Sequence, residues 1–325
     1  MKYLKYILIM IVVLIFVNCA RTVEDYWEDS GVIFTFIYSY NFETGEDTQL
    51  CIPRNFNNYS PNGDYYLSSK IEINEKGNRI LNIKAYDINS NTIINDVVDS
   101  LFLRSSMTNL DKIVFSNNGE MITFSDSLIY TVNVDGTDFK MHTIGKYSTF
   151  SPDDSKLMYV DEQGYISTIR IDNGNIERIL LDDEVTYPIY NPLGDEIYYY
   201  SDKVIKKYYS SESLVTIIAN MQSDPVEYIK FSDNGNKKLI LGDVGYTLDE
   251  YENINLIEEI TFYGDISPDG TKLAYLDVLE EYIWVTDFEG TNEERISWWG
   301  CTSSNNIYFS KDRTKLFYLL EIGVK

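Results

Sequence analysis

The stretch "ISPDGTKLAYLD", Ile266 to Asp277, joins a Ser-Pro-Asp-Gly turn to alternating apolar residues, the pattern of a chain that reverses tightly and leaves as a half-buried strand. Alone it would specify one hairpin. It recurs: "FSDNGNKKLILGD" begins at Phe231, "YNPLGDEIYYYSD" at Tyr190, "FSPDDSKLMYVDEQG" at Phe150, "FSNNGEMITFSDS" at Phe115, "YSPNGDYYLSS" at Tyr59 and "FSKDRTKLFYLLE" at Phe309. From Tyr59 onward the steps are 56, 35, 40, 41, 35 and 43 residues. Such a spacing, in a chain whose apolar runs read as strands, marks stacked supersecondary units.

One unit shows what is stacked. From Val185, "VTYPIYN" predicts a first strand, "EIYYYSD" a second after the turn "PLGD", "VIKKYYSS" a third and "LVTIIAN" a fourth. The unit from Phe150 repeats this with "SKLMYVD", "GYISTIRID" and "NIERILL", its last hairpin closed by Asn173-Gly174, where a type I′ turn is expected. A four-stranded antiparallel meander cannot bury both faces alone, so the units must pack face to face around an axis. The expected fold is an all-β propeller of four-stranded blades. After Phe309 the chain supplies two strands of a blade, and "GVIFTFIYSYN" with "DTQLCI" near the start supplies two more. Pairing residues 32–52 with 309–320 in a composite blade closes the ring and removes its exposed edges. This gives seven blades, or six if the 56-residue copy is degenerate. No sustained 3.6-residue apolar period follows residue 20, so almost no helix is expected.

"FSPDDSKLMYV" and "ISPDGTKLAYL", with the hairpins that follow them, resemble the Pro-Asp propeller repeats of the TolB C-terminal domain and of prolyl oligopeptidase-like enzymes. The resemblance covers most of residues 32–320. It implies the fold and says little of function, since propellers host unrelated activities. TolB carries an α/β domain before its propeller, for which this chain leaves no room between Cys19 and the first expected strand.

The beginning of the chain reads separately. Lys2 and Lys5 precede an apolar run, Tyr6 to Val17, and "FVNC" (Phe16 to Cys19) resembles a lipobox. Residues 1–18 are therefore expected to be a lipoprotein signal, Cys19 the lipid attachment site, 19–31 a short tether and 32–325 one propeller domain. An uncleaved anchor helix is the alternative, although the run is shorter than the roughly 20 residues that span a bilayer. Ala20 after the cysteine favours the outer membrane, by resemblance to bacterial sorting signals.

Composition narrows the partners. The 325 residues carry a formal charge of −24, which repels nucleic acid and anionic headgroups. The expected partner is another envelope protein, and the chain is expected to be a monomer held at the membrane through lipid on Cys19. Catalytic residue types are scarce. The one histidine, His142, falls on an expected outer strand. The propeller-type pectate-fragment lyases that the fold resembles build their metal sites from several histidines. No G-x-S-x-G nucleophile elbow occurs. Carboxylate pairs such as Glu280-Glu281, Asp182-Asp183 and Glu293-Glu294 are ordinary among 51 acidic residues. "NVDGTD", Asn133 to Asp138, offers oxygen ligands without a complete calcium loop and reads equally as a hairpin. The expectation is accordingly a non-catalytic protein with no metal or cofactor, serving interaction or envelope assembly; a small-ligand or glycan binder is the rival, and a hydrolase or lyase a distant third.

Two local features remain. Trp298 and Trp299 in "SWWG" must point to opposite faces of a strand, so one is available for a partner or a sugar ring unless neighbouring segments cover both. Cys51 and Cys301 are left as a pair once Cys19 is lipidated, either as a disulfide stapling the composite blade or as two free thiols.

Overall fold

The computed structural model describes residues 32–324 except 52–55, 62, 89, 104–111, 221–225, 227, 243, 258–259, 278–281 and 298–306. The leader, Cys19, Trp298, Trp299 and Cys301 lie outside the described residues. Among those described, every regular element is a strand.

The strands form seven four-stranded antiparallel sheets. Blade one holds β3 (Phe56–Tyr59), β4 (Tyr65–Ile73), β5 (Arg79–Asp87) and β6 (Ile93–Phe102); blade two holds β7 (Val114–Phe115), β8 (Met121–Ser125), β9 (Leu128–Asn133) and β10 (Lys140–Ile144). Blade three runs from β11 (Lys146–Phe150) through β12 (Lys156–Val160) and β13 (Tyr165–Arg170) to β14 (Ile176–Leu181), and blade four from β15 (Thr186–Tyr190) through β16 (Glu196–Ser201) and β17 (Val204–Tyr209) to β18 (Leu214–Asn220). Blade five is β19 (Tyr228–Phe231), β20 (Lys238–Leu241), β21 (Gly245–Leu248) and β22 (Ile254–Ile257); blade six is β23 (Ile260–Ile266), β24 (Lys272–Asp277), β25 (Tyr282–Asp287) and β26 (Glu294–Arg295). Blade seven is composite: β1 (Val32–Asn41) and β2 (Glu46–Cys51) join β27 (Ile307–Phe309) and β28 (Lys315–Val324) in the order β2-β1-β28-β27. β1 and β28 pair over their whole length, from Val32↔Val324 to Asn41↔Lys315, four residues beyond the expected end at 320. The propeller has seven blades. The long first step belongs to blade one, where β4 and β5 pair over nine positions and β6 adds ten residues.

The core is divided as the ring requires. Seven apolar clusters each sit between two neighbouring blades. Tyr59, Tyr66 and Phe317 close blade seven onto blade one, and Leu316, Tyr318, Ala274 and Val285 join six to seven. Leu67, Ile122 and Phe124 join one to two; Ile129, Leu157 and Tyr159 join two to three. Met158, Ile197 and Tyr199 join three to four, Tyr198 and Ile240 four to five, and Leu239 with Leu273 five to six. Each blade thus buries both faces in its neighbours, which a lone meander cannot do.

The repeated turn holds each inner strand to the second. In the Ser-Pro-Asp-Gly turn the Ser267 hydroxyl donates to Asp269 (2.8 Å) and accepts the Lys272 N–H (2.9 Å), while Asp269 accepts the N–H and hydroxyl of Thr271. The same bonds recur from Ser151 to Asp153 and Lys156 and from Ser310 to Asp312 and Lys315. Asn191 replaces the serine in blade four, its side-chain oxygen accepting the Gly194 and Glu196 N–H groups. The fourth turn residue has positive φ in all seven copies, from +57° at Asp154 to +81° at Gly194, which is why glycine dominates there. The outer hairpins depart from the expected type I′. At Asn173-Gly174 only Gly174 has positive φ, and its N–H reaches back to the Arg170 carbonyl, making a wider loop. Two consecutive positive φ values occur instead at Asp202 and Lys203, the two-residue turn between β16 and β17, the geometry that a type I′ hairpin needs.

These turns set the acid limit of the fold. Burial alone would raise the Asp269 carboxyl, but hydrogen bonds from Thr271 and Ser267 and the Arg313 guanidinium outweigh it and bring its pKa to about 2. Asp153 and Asp312 are lowered for the same reason, their first causes being the Ser151 and Ser310 hydroxyls. A carboxyl depressed on folding binds its proton more tightly in the unfolded chain, so its contribution is complete above about pH 4 and is lost as pH falls towards about 2. Circular dichroism against pH is expected to show cooperative unfolding in that window, and Asp269→Asn is expected to melt below wild type at pH 7 by a margin that shrinks on acidification.

Candidate functional site

The seven inner strands run in one direction around the axis, so their first residues gather at one end of the central channel and the serine turns at the other. At the turn end, Pro61, Asn117, Asp233, Pro268, Tyr308 and Lys311 line a mouth of about 260 Å³. Neighbouring turns are tied together there. The Asp154 carboxylate accepts the Asn117 and Asn118 N–H groups (2.8 and 3.0 Å), and the Asp233 N–H donates to the Pro268 carbonyl (2.7 Å). Burial, then the charges of Asp265 and Asp233, push the Tyr308 hydroxyl well above the usual tyrosine range. It stays protonated and donates, at 3.5 Å, to the Pro61 carbonyl across the seam between blades seven and one.

Below the mouth an ion pair crosses between inner strands. Lys230 of β19 lies 3.0 Å from Asp265 of β23, and Asp265 is buried. Its second oxygen accepts the Phe309 N–H of β27 at 2.7 Å, so blades five, six and seven are linked through one carboxylate. At the far end the Lys112 ammonium stands 4.0 Å from the centre of the Tyr187 ring and 3.1 Å from that of Tyr228, and the Tyr147 ring is 4.5 Å from Tyr187. Tyr147 and Tyr187 have φ of +58° and +47°, each where the inner-strand register slips. Left-handed backbone at bulky residues is strained and is held in place by its surroundings.

The residues singled out from sequence are scattered. His142 lies on β10, the outermost strand of blade two, half-buried with Nε2 2.7 Å from the Thr131 hydroxyl; burial, then Lys140, lowers its pKa. Asn133 to Asp138 form the β9–β10 hairpin, where Asp135 accepts the Thr137 N–H and hydroxyl and Asp138 pairs with Lys140. Asp182 pairs with Lys206 at 2.8 Å and accepts the Tyr199 hydroxyl, so it serves the contact between blades three and four. Cys51 ends β2 opposite Phe36, the expected place on the outer strand of the closing blade; its proposed partner Cys301 is outside the described residues, as are Trp298 and Trp299. Among the described residues no group of three or more His, Cys, Asp and Glu could hold a metal ion.

Sequence reasoning missed the channel residues. Lys230, Asp265, Tyr308 and Lys112 share no motif, and only the ring brings them together. Copy-to-copy contrast gives a signal for Lys112 alone, which stands where other copies carry Tyr147, Tyr187, Tyr228 and Tyr263; the equivalents of Lys230 and Asp265 include Asn58 and Thr149 and set no apolar pattern to depart from.

No protein-family model matches the chain, and no curated protein matches it. Solved structures do. An oligogalacturonate lyase in complex with manganese aligns with a TM-score of 0.57 at 11% identity, over 90% of this chain and 98% of that one. The β-propeller domain of Cps50 (Swd1) from Myceliophteria thermophila aligns at 0.55 and 11%, over 82% and 95%. A protein described as TolB from Agrobacterium tumefaciens shares 19% identity over 90% of this chain and 100% of that chain, at a TM-score of 0.49. At such identities the first two likenesses support the propeller fold alone.

Proposed function

We propose that the chain is a non-catalytic envelope lipoprotein whose acidic propeller docks another envelope protein through its outer strands. The observation that carries this reading is a belt of exposed apolar side chains on the outer strands of five consecutive blades. Ile93, Ile94 and Phe102 lie on β6, Met141 and Ile144 on β10, Ile176 and Leu181 on β14, Leu214, Val215 and Ile217 on β18, and Ile254 and Leu256 on β22. Ile217 is 68% exposed and Phe102 58%. Outer strands offer free backbone donors and acceptors and are commonly blunted with lysine or proline. β18, "LVTIIAN", carries neither, which suits a partner strand or apolar face. The charge of −24 discourages self-association and favours a partner with a basic rim.

In this reading residues 1–18 direct export, lipid on Cys19 holds the molecule at the membrane, outer membrane favoured, and residues 19–31 tether a monomeric propeller. The polar channel mouth supports a second reading, a small-ligand or glycan site built on Tyr308, Asn117 and Asp233. The docking reading is tested by comparing partner capture from native envelopes by wild type and by Ile217→Lys: loss of a captured protein supports the belt, and equal capture removes it.

A further inference from the structure

Two lysines occupy core positions in which every other blade carries an uncharged residue. Lys238 stands six residues after the turn serine Ser232 and faces the preceding blade. The residues at the same step in the other blades are Tyr66, Ile122, Leu157, Ile197, Leu273 and Leu316, all 0–1% exposed. Lys207 lies opposite Tyr198 in blade four, where the other blades place Ala85, Thr131, Thr168, Thr247, Val285 and Ser39. Lys207 is 4% and Lys238 5% exposed, and both line one cleft of about 180 Å³ between blades four and five. Buried ammonium groups are costly unless paired.

The two are paired differently. Lys207 is held by Glu196 at 3.4 Å and by Glu252, with the Tyr209 ring 4.5 Å away. Lys238 has as its described hydrogen bond one long contact, 3.4 Å to the Asn236 carbonyl, and its ammonium lies 5.6 Å from the Tyr198 ring centre. Burial, helped by the charge of Lys207 and opposed by Glu196, Glu252 and Asp249, lowers the Lys238 pKa. Desolvation beside a second cation enlarges the share of an amine that is free to act as a nucleophile.

The charge of the cleft selects the electrophile. Asp195, Glu196, Glu250 and Glu252 outnumber Lys207 and Lys238 among its lining residues, so anions are repelled. A neutral ligand enters freely and is retained if it becomes cationic. The cleft is smaller than the roughly 300 Å³ at which pockets take drug-sized ligands, which restricts it to small molecules.

We propose that Lys238 is a carbonyl-capturing amine, forming an imine with small neutral aldehydes or ketones in the cleft between blades four and five. The unprotonated Nζ gives its electron pair to the carbonyl carbon and the carbonyl π pair moves to oxygen; one N–H proton passes through water to that oxygen, giving a neutral carbinolamine. The carbinolamine then loses its hydroxyl together with the second N–H proton as water, the nitrogen pair forming the C=N bond. Amine and carbonyl are consumed and one water is released, with no change of oxidation state. Protonation of the imine nitrogen gives a cation facing Glu196 and Glu252.

The test is reductive trapping on the full chain at pH 7 with glycolaldehyde and cyanoborohydride, followed by peptide mass mapping over time. Lys238 is expected to be labelled at least ten-fold faster than the median lysine. Labelling less than ten-fold faster than the median overturns the proposal. Lys238→Leu, which restores the residue type of the other blades, is expected to melt no lower than wild type and to lack the fast site; a fast site that persists in the variant overturns the proposal equally.

Discussion

Deletion of residues 315–325 is expected to abolish the cooperative melt. Among the described residues β28 alone pairs with both β1 and β27, so without it these two strands no longer share a sheet. Leu316, Phe317 and Tyr318 leave with it, all at most 3% exposed and divided between the six–seven and seven–one interfaces. Tyr318 also donates to Asp47 at 3.0 Å and stacks on Tyr38 with ring centres 5.6 Å apart. At roughly 1.5–3 kcal/mol for each large apolar side chain, the burial alone approaches the roughly 5–15 kcal/mol that a whole domain has to lose. The ladder of backbone bonds to β1 is lost as well, and two sheet edges become open to aggregation. Calorimetry of the truncated chain is expected to show no two-state transition. A melt within a few degrees of wild type would mean that the ring does not depend on its composite blade.

Leu273→Lys is expected to be among the most damaging single substitutions. Leu273 occupies in blade six the position that Lys238 holds in blade five, is fully buried and packs against Leu239, Leu241 and Tyr275. A lysine there would lie in an apolar cluster, with none of the cleft and polar lining that surround Lys238. Losing the leucine packing costs about 2–5 kcal/mol, and the stranded ammonium adds to it or is forced neutral. A fall in Tm of about 10 °C or more is expected in a thermal melt, at the roughly 2–4 °C per kcal/mol typical of larger domains. The opposite signs for Leu273→Lys and Lys238→Leu would show that blade five was altered locally rather than that the position tolerates charge.

The fold was legible because its information is local and repeated. A serine turn and an alternating strand are specified within a dozen residues, and seven copies fix the period even where letters differ, as with Asn191 for serine. The composite closure was legible from two half-blades at the ends of the repeat array. The turn type at Asn173-Gly174 was not, because an Asn-Gly pair suits several loop lengths and the flanking register decides among them. The site was hidden for a different reason. Lys230 and Asp265 are 35 residues apart in sequence and meet only because adjacent inner strands line one channel. Lys207 and Lys238 belong to different blades. Their signal was a departure from the pattern of the repeats, visible once equivalent positions are set side by side.

The docking claim is tested most directly by crosslinking the full chain, expressed with its own leader, in its native host cells and comparing wild type with Ile217→Lys, a substitution on an exposed outer-strand position that leaves the inter-blade clusters untouched. One defined protein crosslinked to wild type, reduced at least ten-fold in the variant while both melt alike, is the predicted result. Equal crosslinking to both chains, or no specific partner of wild type, would contradict it.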